Sequence, residues 1–269
     1  MTGWSEAIPE DIRLSLQQVH PSWSAVIEAA LQQVHERDPA YFASLHKSAY
    51  LPDQARLFAA FSIPMQDVRY ILIGEGPYPR ADSATGYCFM DGAVNRLWSD
   101  EEGGGLSKKV NRATSLRNFM KMLLVTSGHL QQDATTGEAM AAVASHARNP
   151  ASGIIQTLGE LQQNMISQGF LLLNASLVFR EDTPPAKDAR AWLPFLQTVL
   201  ARLYQERQTE QARSPVLVLW GKIAEQLRQI PEAVAFEKIC AEHPYNLSFI
   251  GNASMQEFFK PMALLKRIA

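Results

Sequence analysis

Four short apolar runs, each halted by a polar or glycine-bearing turn, constrain this chain more than any other feature. They are Tyr70-Ile71-Leu72-Ile73, Phe170-Leu171-Leu172-Leu173, Pro215-Val216-Leu217-Val218-Leu219-Trp220 and Phe236-Glu237-Lys238-Ile239-Cys240. Runs of this length, rich in β-branched, leucine and aromatic residues, read as strands. Long helical patterns separate them, so they cannot be joined as hairpins and pair in parallel through crossovers. The expected fold class is α/β: a single α/β/α domain over residues 1–269, with a central four-stranded, mainly parallel sheet flanked by helices. Residues 126–151, polar and alanine-rich, are expected as a peripheral insertion, helix or loop.

The intervening segments follow helical spacing. Trp23, Val26, Ile27, Ala30, Leu31 and Val34 predict a helix within Pro21–Leu45, with Ser22 as its N-cap. Shorter helices are expected at Pro52–Phe61 and from Ser115, where Leu116, Phe119, Met120 and Leu123 share a face. Others are expected over Ile154–Ile166, Trp192–Tyr204, from Lys222 to Gln229, and from Ser254 to Ile268. The glycine-rich stretch at 99–115 is expected to be mobile or loop-forming. Its charges, Asp100, Glu101 and Glu102 followed by Lys108, Lys109, Arg112, Arg117 and Lys121, read as a solvated face.

Composition narrows the class. Of 269 residues, 46% are hydrophobic and 19% charged, as in an ordered globular protein. No run approaches the roughly 18 apolar residues of a membrane span, so no membrane association is expected. The N-terminal MTGWSEAIPEDIR lacks a basic and then apolar secretory pattern. Cys88 and Cys240 form no CxxC unit and are too few for a zinc site or an iron–sulfur cluster. No metal or other cofactor is therefore expected, and the compartment reads as the reducing cytoplasm. His129 and His146 lack a metal-ligand spacing and read as surface residues. The net charge of −2 does not advertise nucleic-acid binding, although the distribution of charge over a face decides that.

Ligands of parallel α/β sheets bind at the carboxyl ends of the strands. Here those ends read Gly74-Glu75-Gly76-Pro77-Tyr78, Leu173-Asn174, Trp220-Gly221-Lys222 and Glu242-His243-Pro244. The topology predicts that Glu75, Asn174, Lys222 and His243 gather in one cleft.

With these motifs the chain resembles the uracil-DNA glycosylase superfamily, and most of all its family-1 members. Those carry GQDPYH after the first strand, LLLN after another and HPSPLS near the C-terminus. The matching stretches are Gly74-Glu75-Gly76-Pro77-Tyr78-Pro79, Leu171-Leu172-Leu173-Asn174 and His243-Pro244-Tyr245-Asn246-Leu247-Ser248, in the same order. The resemblance implies a base-excision repair hydrolase, monomeric and acting on uracil-containing or damaged DNA, that flips a base into a pocket. It implies that Phe89 stacks on the pyrimidine, Asn174 reads its Watson–Crick edge, and Tyr78, beside Gly76, excludes the thymine methyl. His243 would stabilise the leaving base, and Leu247 would fill the gap left in the duplex. Ser115, Lys222 and Ser248 would contact phosphates, assisted by Arg112 and Arg117.

The first motif departs from the family. The family-1 carboxylate position holds Gly76, and Pro79 follows the tyrosine in place of histidine. Gly74-Glu75-Gly76-Pro77 is closer to the GEAPG of the iron–sulfur (family-4) enzymes, whose cluster two cysteines cannot build. The catalytic acid is accordingly assigned to Glu75. Two alternatives stand beside this assignment: a catalytically impaired homologue that binds uracil or abasic DNA, and an enzyme of the same fold that acts on a nucleobase or nucleotide without binding DNA.

Overall fold

A computed structural model describes residues 8–53 and 55–268 of the chain. Residues 1–7, where the secretory pattern was sought, lie outside the described residues. All four strands form one sheet: β1 (Tyr70–Gly74), β2 (Phe170–Asn174), β3 (Val216–Trp220) and β4 (Lys238–Ala241), in the order β2-β1-β3-β4. β1 runs parallel to β2, pairing Tyr70 with Phe170 through Gly74 with Asn174, and parallel to β3, pairing Tyr70 with Val216. The architecture is the expected α/β one, a parallel sheet flanked by helices. Every residue of β2 and β3 is buried, which explains their unbroken apolar runs. β4 lies at the sheet edge, half-exposed.

The chain divides into two compact units. One comprises Met1–Gly92, Gly169–Leu219 and Ile223–Ile239; the other comprises Ala93–Gln168, Trp220–Lys222 and Cys240–Ala269. In the first, the Ser24–Arg37 helix buries Val26, Ile27, Ala30, Leu31 and Val34 and packs against the Pro185–Thr209 helix. In the second, the Thr114–Thr126 helix packs against the Leu247–Gly251 turn and the Ala253–Phe259 helix. Among the described residues no helix is long and apolar enough to cross a membrane.

Several expected boundaries shift for physical reasons. The Pro21–Leu45 segment breaks after Arg37, and a separate helix spans Tyr41–His46. Pro39 accounts for the break, because a proline disfavours helical geometry in the residue before it. Ser22 is not the cap: His20 caps the Pro21–Trp23 turn, and the Ser22 hydroxyl accepts the Met65 N–H at 2.9 Å. Pro52–Phe61 is not a helix. A cis Leu51–Pro52 bond opens it, and among its described residues only a 3-10 turn at Ala59–Ser62 follows. The last helix stops at Phe259, where Pro261 permits only a 3-10 turn. Within residues 126–151, Gly137–Arg148 is helical and buries Met140, Val143, Ala144 and Ala147.

The glycine-rich stretch is tied down rather than loose. Trp98 bridges Leu106, the Ser99 N–H donates to the Gly105 carbonyl, and Lys108 pairs with Glu101 at 2.7 Å. Lys121 departs from the solvated face: it is only 8% exposed, and burial together with neighbouring Arg117 lowers the pKa of its amine.

Candidate active site

In the first unit, the turn after β1 and the end of β2 lie side by side. Gly74 pairs with Asn174, and the Ala175 and Ser176 N–H groups donate to the carbonyls of Gly74 (2.8 Å) and Glu75 (3.1 Å). Asn174 is 4% exposed, yet its side-chain amide makes no hydrogen bond within the described residues. The amide is not among the fully buried unpaired groups of the described residues, so its polar atoms keep some solvent contact and are open to a ligand.

Gly74 is what lets Asn174 sit there. A Cβ at residue 74 would lie 2.9 Å from Asn174 Oδ1 and 2.9 Å from the Cys88 Cβ. At residue 76 a Cβ would meet only Ser176, at 3.6 Å, an ordinary contact. Gly76 is therefore not dictated by packing. Gly74→Ala is expected to lower stability by about 1–3 kcal/mol by overpacking, whereas Gly76→Ala should stay within about 0.5 kcal/mol of wild type. Urea midpoints of the two variants measure the contrast.

Phe89, in the same unit, holds a strained backbone. Its φ of 64° lies in the left-handed region, where a bulky side chain costs about 1–3 kcal/mol. The segment is held by the Cys88 N–H donating to the Leu172 carbonyl (3.0 Å) and by the buried Cys88 thiol against the Leu72 carbonyl (3.2 Å). Burial pushes the Cys88 thiol pKa well up, so it packs as a neutral group. Tyr78 reaches the Phe89 carbonyl with its hydroxyl at 3.4 Å. Its phenol is raised above the ordinary tyrosine range, first by burial and then by the Asp91 charge, with Arg80 opposing. Glu75 is exposed, and its carboxylate has no hydrogen-bond or ion-pair partner among the described residues.

In the second unit, His243 lies beside the turn that carries Lys222. Gly221, at φ 69°, approaches so closely that a Cβ there would stand 2.8 Å from the His243 Cβ. The Tyr245 N–H donates to His243 Nδ1 at 3.1 Å, which places the ring proton on Nε2. The loop that follows is clamped from below. Asn118 is fully buried, and its Nδ2 donates to the carbonyls of Pro244 (2.8 Å), Tyr245 (3.2 Å) and Asn246 (3.3 Å). The Asn246 N–H donates to the His243 carbonyl at 2.9 Å, a bond that the proline usual in family 1 cannot make. Leu247 and Ser248 are exposed at the loop tip, Ser115 sits at the start of the Thr114–Thr126 helix, and Lys222 is exposed.

No protein-family model matches the chain. Among solved structures it is similar to wild-type UNG from Nitratifractor salsuginis, at 36% identity and a TM-score of 0.84, covering 96% of this chain and 96% of that one. The chain belongs to the uracil-DNA glycosylase superfamily. Among curated proteins, the uracil-DNA glycosylase of Corynebacterium efficiens is 26% identical over 214 residues, 78% of this chain and 71% of that protein. Mimivirus uracil-DNA glycosylase, at 16% identity and a TM-score of 0.53 over 91% of this chain and 76% of that one, shares the fold.

Of the four residues expected to gather, Glu75 and Asn174 are neighbours in the first unit, and Lys222 and His243 are neighbours in the second. Asn118 escaped the sequence reading. Its signal was available, as an amide set in the apolar stripe of Leu116, Phe119, Met120 and Leu123.

Proposed function

We propose that this chain is a base-excision repair glycosylase that hydrolyses the N-glycosidic bond of deoxyuridine in DNA after flipping the base. The observation that carries this is Asn174, 4% exposed, whose side-chain amide has no partner among the described residues. Uracil presents an acceptor and a donor on its Watson–Crick edge, and a carboxamide supplies the complement of both. Membership of the superfamily supports the same reaction.

In this reading the protein acts as a cytoplasmic monomer without a metal. Ser115, Lys222 and Ser248 hold phosphates, and the position of Ser115 at a helix start favours an anion. Leu247 enters the stack as the uridine leaves it. Phe89 stacks on the flipped base, Gly76 lets the backbone approach it, and Tyr78 stands against C5, where a thymine methyl would overlap its ring.

The bond between C1′ and N1 then breaks, its electron pair passing to uracil and leaving a cation-like sugar. The His243 Nε2–H donates to uracil O2 as charge develops there, and an anion near the sugar favours the cation. Glu75 orients a water whose oxygen bonds to C1′; the water proton leaves to the carboxylate or to solvent, and the uracil anion takes up a proton from solvent. The products are free uracil and an abasic site.

The test is release of free base from matched oligonucleotides carrying one deoxyuridine or one thymidine. Release of uracil alone is expected. Tight binding without release would favour the impaired homologue, and absence of salt-sensitive DNA binding would favour the nucleobase enzyme.

A further inference from the structure

The loop tip carries more apolar surface than one wedge needs. Tyr245 is 67% exposed and Leu247 is 69% exposed, two positions apart. Both roots of the loop are anchored: Pro244, Phe249 and Ile250 are buried, with Phe249 edge-on to Trp220 at 5.4 Å. The carbonyls of residues 244–246 are taken by the buried Asn118 amide. The Tyr245 backbone itself is spent on His243 Nδ1. A loop fixed in this way has already lost its backbone freedom, so presenting a ring to a partner costs little further ordering. Family-1 enzymes usually place serine where Tyr245 stands.

We infer that Tyr245 is a second inserting side chain, stacking on the base next to the extruded nucleotide while Leu247 occupies the gap. The inference rests on the DNA-flipping reading above, and it adds a residue that sets affinity for distorted duplex. Two features select a base face as the occupant. The exposed surface is a planar ring with no ring partner among the described residues, and it lies two residues from the histidine that would meet the leaving base. Stacking of a base on an aromatic side chain is worth enough to change affinity by about tenfold or more.

The experiment measures binding to a duplex containing a tetrahydrofuran abasic analogue and to the intact duplex, for wild type, Tyr245→Ser and Tyr245→Phe. Tyr245→Ser should lose about tenfold or more on the abasic duplex, while Tyr245→Phe stays within about threefold of wild type and the intact duplex shows no such contrast. Exposure of the ring makes both variants foldable, which a thermal melt verifies. Equal affinity of Tyr245→Ser and wild type overturns the inference. So does a Tyr245→Phe loss as large as that of Tyr245→Ser, which would assign the effect to the hydroxyl. The analogue needs no excision, so an inactive wild type that still shows the serine–phenylalanine contrast supports the inference while overturning the catalytic reading.

Discussion

His243→Ala should slow single-turnover uracil release about 100- to 1,000-fold, the usual cost of removing one donor aimed at developing negative charge. The imidazole is prepared for that task by its surroundings. Its Nδ1 accepts the Tyr245 N–H, so the neutral ring carries its proton on Nε2 and is a donor without having to be charged. Gly221 leaves room for the ring to sit where it does. Affinity for uracil-containing duplex should fall much less than the rate, because the interaction strengthens only as the base leaves. A rate loss matched by an equal loss of affinity would assign His243 to ground-state binding instead.

Glu75→Gln should lower the same rate about a hundredfold or more, the range of a positioned general base, with little change in DNA affinity. The substitution keeps size and shape, removes the charge and replaces one acceptor oxygen with an NH2 donor. Because the carboxylate is exposed and has no partner among the described residues, no ion pair is broken, and stability should change by less than about 0.5 kcal/mol. Kinetics alone should report the loss. Gly76 gives this prediction its weight, since the family's usual carboxylate position is bare and packing does not require it to be.

β2 and β3 were legible because each is buried along its length, and burial on both faces writes an unbroken apolar run into the chain. The strand-end residues were legible because topology, rather than local sequence, decides which turns share a sheet edge. What escaped depends on partners remote in sequence. Ser22 looked like a cap until the Met65 N–H claimed its hydroxyl. Lys121 looked solvated until packing buried it. Asn118 earns its place through three carbonyls more than 120 residues away, a relation that no local spacing encodes. The strain at Phe89 is likewise visible only in backbone angles, since an ordinary phenylalanine spells it.

The central claim is that Glu75 supplies the anion that Gly76 does not. The most direct measurement is the single-turnover rate of uracil release for wild type, Glu75→Gln, and Glu75→Gln combined with Gly76→Asp. The Cβ of the second substitution meets Ser176 at 3.6 Å, an ordinary contact. The expected result is a fall of about a hundredfold in Glu75→Gln and recovery of at least about tenfold, near 1.4 kcal/mol of barrier, in the double variant. A Glu75→Gln rate equal to wild type would contradict the claim.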